Sequence, residues 1–212
     1  MDKARGGKYD AILEGALRTF AERGYHGARV SNIAKAAGVA DGTIYLYFKR
    51  KEDILIRLFQ EKLSGLVADI RDRIAGAAEP RAKLAGIVEA HFAALESNAA
   101  LARVTQVELR RCSYEMRREI GLCLKPYMAL IEDVIAEGMA AGLFRRDLNV
   151  KLTAHLLFGA MDEVVSAWLV AGRKYALRAQ ADGAVRFMLG GLEAAKENET
   201  RGGEAACESS CC

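Results

Sequence analysis

Apolar residues recur at helical spacing in long runs along this chain, and only two prolines, Pro80 and Pro126, interrupt it. That pattern predicts an all-α fold of about nine helices. Tyr9, Ile12, Leu13, Ala16, Leu17 and Phe20 form the stripe of a first helix from Lys8 to Arg23, ended by Gly24. Val30, Ile33, Ala34 and Ala37 share one face of a second, and Gly38 supplies the left-handed residue that commonly closes a helix. A third runs from Asp41 to Phe48 with Ile44 and Phe48 buried. Gly42, Thr43, Tyr45, Leu46 and Tyr47 are left to point elsewhere. The fourth begins after Lys51 and runs toward Ala75, long enough to leave the first unit and enter a larger one. The rest are expected at Arg81–Glu96, Ala99–Arg111, Ser113–Ala141, Val150–Val170 and Leu177–Ala195, with Asn149 capping the eighth. Pro126 should kink or break the seventh, because it lacks the amide its turn needs.

The pattern divides the chain into a three-helix unit, residues 8–53, and a larger helical domain, residues 54–196. Residues 1–7 form a short basic arm, and residues 197–212 are aperiodic and rich in Gly, Glu, Ser and Cys. Both are expected to be disordered. Two short helices joined by a glycine-containing turn are a helix-turn-helix, whose second helix enters the DNA major groove. An ordinary hairpin in a helical core is the alternative, but it has no need of a threonine and two tyrosines beside Lys49, Arg50 and Lys51. Hydroxyl tips next to a basic run suit phosphate oxygens and base edges. The candidate DNA contacts are Ser31, Asn32, Lys35, Asp41, Gly42, Thr43, Tyr45, Leu46, Tyr47, Lys49 and Lys51. Lys8 could also reach phosphates; Tyr9 could reach them or belong to the core.

Charge agrees with this. The net charge is only +3, yet residues 1–57 carry 11 Lys and Arg against 7 Asp and Glu, while the remainder carries 20 against 21. The basic excess therefore sits where DNA would lie. There is neither a signal-peptide core nor an uncharged apolar run of membrane-spanning length, so a cytoplasmic protein without a membrane partner is expected. The five cysteines are odd in number and lack metal or disulfide spacing, which favours incidental thiols over a role for the Cys207–Cys212 tail. A helical-bundle enzyme or carrier is the rival class. No histidine follows a glutamate by three residues, and HExxH, P-loop and GxGxxG motifs are absent, so no catalytic residue, metal ligand or cofactor is expected.

Gly24-Tyr25, Ile33-Ala34, Ala37-Gly38-Val39, Gly42-Thr43-Ile44-Tyr45, Tyr47-Phe48 and Lys51-Glu52 together resemble the TetR family of bacterial transcriptional regulators. Within it, AGVADGTIYLYFK followed by KEDIL is similar to the acyl-CoA-responsive FadR repressors of bacilli and Thermus. The similarity continues through Val104-Thr105-Gln106, Glu108-Leu109-Arg110, Phe158-Gly159, Asp162-Glu163 and Lys174-Tyr175. It implies a homodimeric repressor of fatty-acid degradation genes that leaves double-stranded operator DNA on binding a long-chain acyl-CoA. Ala28, Arg29 and Ala40 stand where that family often has Ser or Thr, which leaves Ser31 and Asp41 to cap the motif helices.

An acyl-CoA needs an apolar tunnel and a cationic mouth. Phe92, Leu95, Tyr127, Met128, Ile131 and Phe158 are candidates for the tunnel, although each could equally be packed core. Arg103, Arg110, Arg111, Arg117, Arg118 and Lys125 are candidates for the phosphates, with a solvated helix face as the plainer reading. Gln106 is a candidate for the thioester or pantetheine. Another hydrophobic effector, a drug or metabolite, would suit the apolar set without the arginines. The eighth and ninth helices are apolar on more than one face, so they are either central to the domain or bury a face against a second copy. The resemblance favours the second copy, with Leu157, Val165, Trp168, Met188 and Leu192 at the interface.

Overall fold

The computed structural model describes residues 2–108 and 112–194. Among them are nine α-helices and no strand: α1 Asp2–Gly27, α2 Val30–Ala37, α3 Asp41–Tyr45, α4 Lys51–Ile74, α5 Pro80–Ser97, α6 Ala99–Arg103, α7 Tyr114–Ala140, α8 Val150–Val170 and α9 Ala181–Leu192. A π-helical turn, Val104–Glu108, continues α6, and a short 3-10 turn, Arg178–Gln180, precedes α9. The candidates Arg110 and Arg111 and the cysteine tail lie outside the described residues.

Two cores organise the chain. The first gathers Ile12, Leu17 and Phe20 of α1, Ile33 of α2, Ile44 of α3 and Ile54, Leu58 and Phe59 of α4. Val104, Met116 and Ile120 enter the same core from the second half of the chain. The first unit is therefore completed by residues far from it in sequence. The second core holds Ile87 and Phe92 of α5, Tyr127, Ile131 and Val134 of α7, and Met161, Val165 and Trp168 of α8. Phe144 closes one end, pressed so near Gly138 that a Cβ there would lie 2.1 Å from its ring. α4 crosses from one core to the other, with Leu58 in the first and Ile70 in the second.

Local chemistry moves several helix ends. α1 begins at Asp2, not Lys8, and it does not stop at Gly24 but kinks there and runs on to Gly27. α3 stops three residues early, at Tyr45. α7 passes through Pro126 unbroken. Pro126 and Leu122 are both exposed, so water can serve the carbonyl that the missing amide leaves free. Neither Ser31 nor Asp41 caps a motif helix. Ser31 lies inside α2, where Asn32 Oδ1 accepts the Arg29 amide at 3.1 Å, and α3 starts at Asp41 behind Ala40, which offers no side-chain cap.

Candidate DNA-binding surface and effector cavity

Gly38, with φ 67° and ψ 31°, turns the chain between α2 and α3 in the left-handed conformation. Ile44 and Phe48 anchor α3 in the first core. The rest of that segment is turned outward. Tyr45 is 59% and Leu46 78% exposed, with Asp41, Gly42 and Lys49 beside them and Ser31 and Lys35 exposed on α2. Large apolar groups held in water on a rigid, basic surface mark a binding face. Thr43 and Asn32 are half-buried, as is Tyr47, whose ring lies 6.1 Å from that of Tyr9. Tyr9 itself stacks on Phe48 and donates to Glu61 at 3.2 Å, which ties it to α4.

Lys51 requires a correction. Its ammonium donates to the Tyr25 carbonyl at 2.7 Å and the Ala28 carbonyl at 3.0 Å, and it lies 4.4 Å from the centre of the Tyr25 ring. Those partners hold the start of α4 against the end of α1 and occupy the cation that was expected to meet a phosphate. Tyr25 is fixed further by its hydroxyl, which donates to Glu52 at 2.9 Å. Burial and that carboxylate push the phenol well above its ordinary range, so the hydroxyl stays a donor.

In the larger domain α4, α5, α6, α7, α8 and the π turn line an open cavity of about 710 Å3. Phe59, Leu63, Leu66, Leu95, Ile120, Leu124 and Phe158 supply its apolar walls. Of the expected tunnel residues, Leu95, Tyr127 and Phe158 line it. Phe92 and Ile131 do not; both are fully buried in the second core, and Met128 packs against that core. Of the expected cations, Arg117 lines the cavity, while Arg103, Arg118 and Lys125 are exposed outside it. Gln106 lines it too, donating to Asp162 and accepting from the Ser166 hydroxyl at 2.8 Å. Glu61, Lys62, Asp69, His91, Ser97, Asn98, Thr105 and Asp162 complete the polar wall, and the sequence marked none of them as a ligand contact. A single polar residue on an apolar stripe gives no sign of facing a void. Lys62 is shared with α1, through an ion pair to Glu14.

His91 is buried against the cavity, its Nδ1 3.0 Å from the Tyr127 hydroxyl and the two rings stacked at 5.9 Å. Its Nε2 has no hydrogen-bond partner among the described residues. Burial lowers its pKa from the ordinary 6.5 to about 4, so it is neutral at pH 7. The unfolded chain takes up this proton near pH 6.5, whereas the folded chain refuses it until about pH 4. Stability present above pH 6.5 should therefore be lost as pH falls toward 4, by up to about 3 kcal/mol at about 1.4 kcal/mol per pH unit. Urea midpoints across that window should show the loss, and His91→Phe should flatten it. An unchanged slope in the variant would place the acid sensitivity elsewhere.

The five residues expected between two copies are not on the surface. Leu157, Val165, Trp168, Met188 and Leu192 all lie in the chain's own second core. One turn of α8 buries Leu157 and exposes Leu156, because neighbouring residues face about 100° apart. The apolar residues left in water on these helices are Leu152, Leu156 and Val170 of α8 and Phe187 of α9. Among the described residues there is no cluster of metal-ligating side chains and no helix long and apolar enough to cross a membrane.

Comparison with known proteins places both halves. Residues 12–58 match the family "Bacterial regulatory proteins, tetR family", and residues 59–191 match "YsiA-like protein, C-terminal region". The fatty acid metabolism regulator protein of Bacillus subtilis is 40% identical over 190 residues, 90% of this chain and 98% of its own. The transcriptional repressor KstR2 of Mycobacterium tuberculosis is 33% identical over 72% of this chain and 78% of its own. Among solved structures, the fatty acid degradation regulator FadR of Bacillus halodurans superposes with a TM-score of 0.85 at 46% identity, covering 87% of this chain and 95% of that one. FadR of Bacillus subtilis in complex with stearoyl-CoA gives 0.84 at 40% identity, covering 87% and 100%.

Proposed function

The chain belongs to the TetR family of bacterial regulatory proteins, and on that premise we propose that it is a homodimeric repressor of fatty-acid degradation genes, released from its operator by a long-chain acyl-CoA. The observation that carries the ligand assignment is the cavity, since the relative from Bacillus subtilis has been solved with stearoyl-CoA. Along α7 the lining runs from Arg117 through Ile120, Gly121 and Leu124 to Tyr127. Ten helical residues span about 15 Å, so a cationic end and an aromatic end are separated by an apolar stretch. Each methylene removed from water there stabilises by about 0.8 kcal/mol. Arg117 offers a planar fork to a phosphate, and Arg118 follows it, exposed, on the same helix. Tyr45, Thr43 and Leu46 are the side chains proposed to reach base edges, with Lys35, Lys49 and the exposed Arg29 and Arg50 on the backbone.

Release requires that the ligand bind one arrangement of the two domains better than the other. α4 carries the signal, because Phe59 and Lys62 line the cavity while Lys51 and Glu52 hold the DNA-binding unit through Tyr25. Displacing α4 turns each recognition helix away from its groove as a rigid body. Acting on the chromosome, such a repressor works in the cytoplasm and needs no cofactor. The test is to titrate operator-bound protein with a long-chain acyl-CoA, free coenzyme A and the free fatty acid. The thioester should release DNA at much lower concentration than either fragment, because one lacks the apolar chain and the other the phosphates. Equal release by the free fatty acid would remove the role of Arg117 and leave a repressor of another hydrophobic ligand. Failure of all three would overturn the ligand assignment.

A further inference from the structure

Gly24 has φ 71° and ψ 159°, a conformation open to glycine almost alone. Helical bonding restarts beyond it, with the Ala28 amide bonded to the Gly24 carbonyl at 3.0 Å. The Tyr25 amide thus stands in the first turn of a new helical segment, where no carbonyl of its own helix can receive it. A carboxylate 83 residues away fills that place. Glu108 Oε2 accepts the Tyr25 amide at 2.7 Å, and Glu108 is only 4% exposed. The glycine also makes room, since a Cβ at position 24 would lie 3.2 and 3.3 Å from the two carboxylate oxygens.

Glu108 ends the π turn, and Thr105 and Gln106 of the same turn line the cavity. A π turn carries more residues than an α turn and recurs at functional positions in helices. Tightening it by one residue would rotate the segment beyond it by about 100°. The other side of the joint is equally direct, because Tyr25 is held by Lys51 and Glu52 at the start of α4, immediately after the recognition segment. So dry a carboxylate must keep a hydrogen-bond donor or move to water, which gives the contact two states and no graded one.

We propose that Glu108 is a positioning residue for operator binding: it caps the Tyr25 amide in the DNA-competent form, and a ligand engaging Thr105 and Gln106 withdraws it. This rests on the acyl-CoA reading for the ligand but makes a separate claim about the joint. Three quantities test it in the full-length protein: operator affinity, stearoyl-CoA affinity, and the ratio of stearoyl-CoA affinities without and with operator. By linkage that ratio measures the coupling whatever its route. Glu108→Ala should weaken operator binding and cut the ratio about tenfold, a coupling change of about 1.4 kcal/mol, while stearoyl-CoA affinity in free protein rises, because the variant loses the contact that favours the unliganded form. Glu108→Gln, which keeps an acceptor oxygen, should restore most of the ratio. A ratio unchanged in a folded Glu108→Ala protein overturns the proposal. Should that variant fail to fold, amide exchange at Tyr25 in the unaltered protein decides: saturating stearoyl-CoA should speed it at least about tenfold, and equal protection overturns the proposal. If stearoyl-CoA does not bind the unaltered protein, the ligand reading fails instead, and the operator affinities of Glu108→Ala and Glu108→Gln still judge the cap, which is overturned if both equal that of the unaltered protein.

Discussion

Operator affinity should fall about a thousandfold or more when salt is raised from about 50 to 200 mM, the loss that goes with six to ten neutralised phosphates. The count comes from the surface of the first unit. Lys8, Arg29, Lys35, Lys49 and Arg50 are exposed around α2 and α3, while Lys51 is withdrawn to the Tyr25 and Ala28 carbonyls. Arg50 is also drawn toward Asp53 at 3.1 Å, an exposed pair that DNA phosphates can compete for. A dimer presents this set twice. Fluorescence anisotropy on an operator duplex across a salt series would measure the slope. Lys49→Ala and Lys35→Ala should each make it shallower and weaken binding to all sequences alike, whereas Lys51→Ala should act through stability of the joint. A salt-independent affinity would sink the electrostatic assignment of this face.

Leu156→Asp combined with Phe187→Asp should leave a folded monomer and lower operator affinity at least about a hundredfold, since one unit reaches only half of the phosphates. Leu156 is 64% and Phe187 79% exposed in the single chain, and Val170 89%. Small residues accompany them: a Cβ at Gly159, Gly183, Gly190 or Gly191 would meet nothing within 4 Å, so a second pair of helices can approach closely. Burying one such side chain stabilises by roughly 1.5–3 kcal/mol. Two-fold symmetry buries each twice, for roughly 6–12 kcal/mol from these two positions alone. Carboxylates there replace that gain with like charges in a dry interface. Sedimentation velocity would read the monomer directly, with circular dichroism checking the fold. A double variant as dimeric as the unaltered protein would move the interface off α8 and α9.

What the amino-acid order determined unaided is local. Nine helices, the glycine turn at Gly38, the anchors Ile44 and Phe48 and the outward set at Tyr45 and Leu46 all follow from periodicity and from what glycine allows. That outward face was legible because its residues are contiguous. Partnership across the chain was not. Trp168 and Met188 are apolar, which says that they are buried but not whether by their own chain or by a copy; α5, α7 and α8 settle that by surrounding them. Phe92 and Phe158 look alike in sequence, yet only Phe158 meets the cavity, because a void exists only where several helices fail to close on one another. Lys51 carries a charge that suits phosphate, and only the folded end of α1 presents the two carbonyls that claim it. Glu108 reads as one carboxylate in an ordinary polar run. Its meaning depends on an amide 83 residues away that the kink at Gly24 leaves unbonded, and a pairing at that range is decided by tertiary packing.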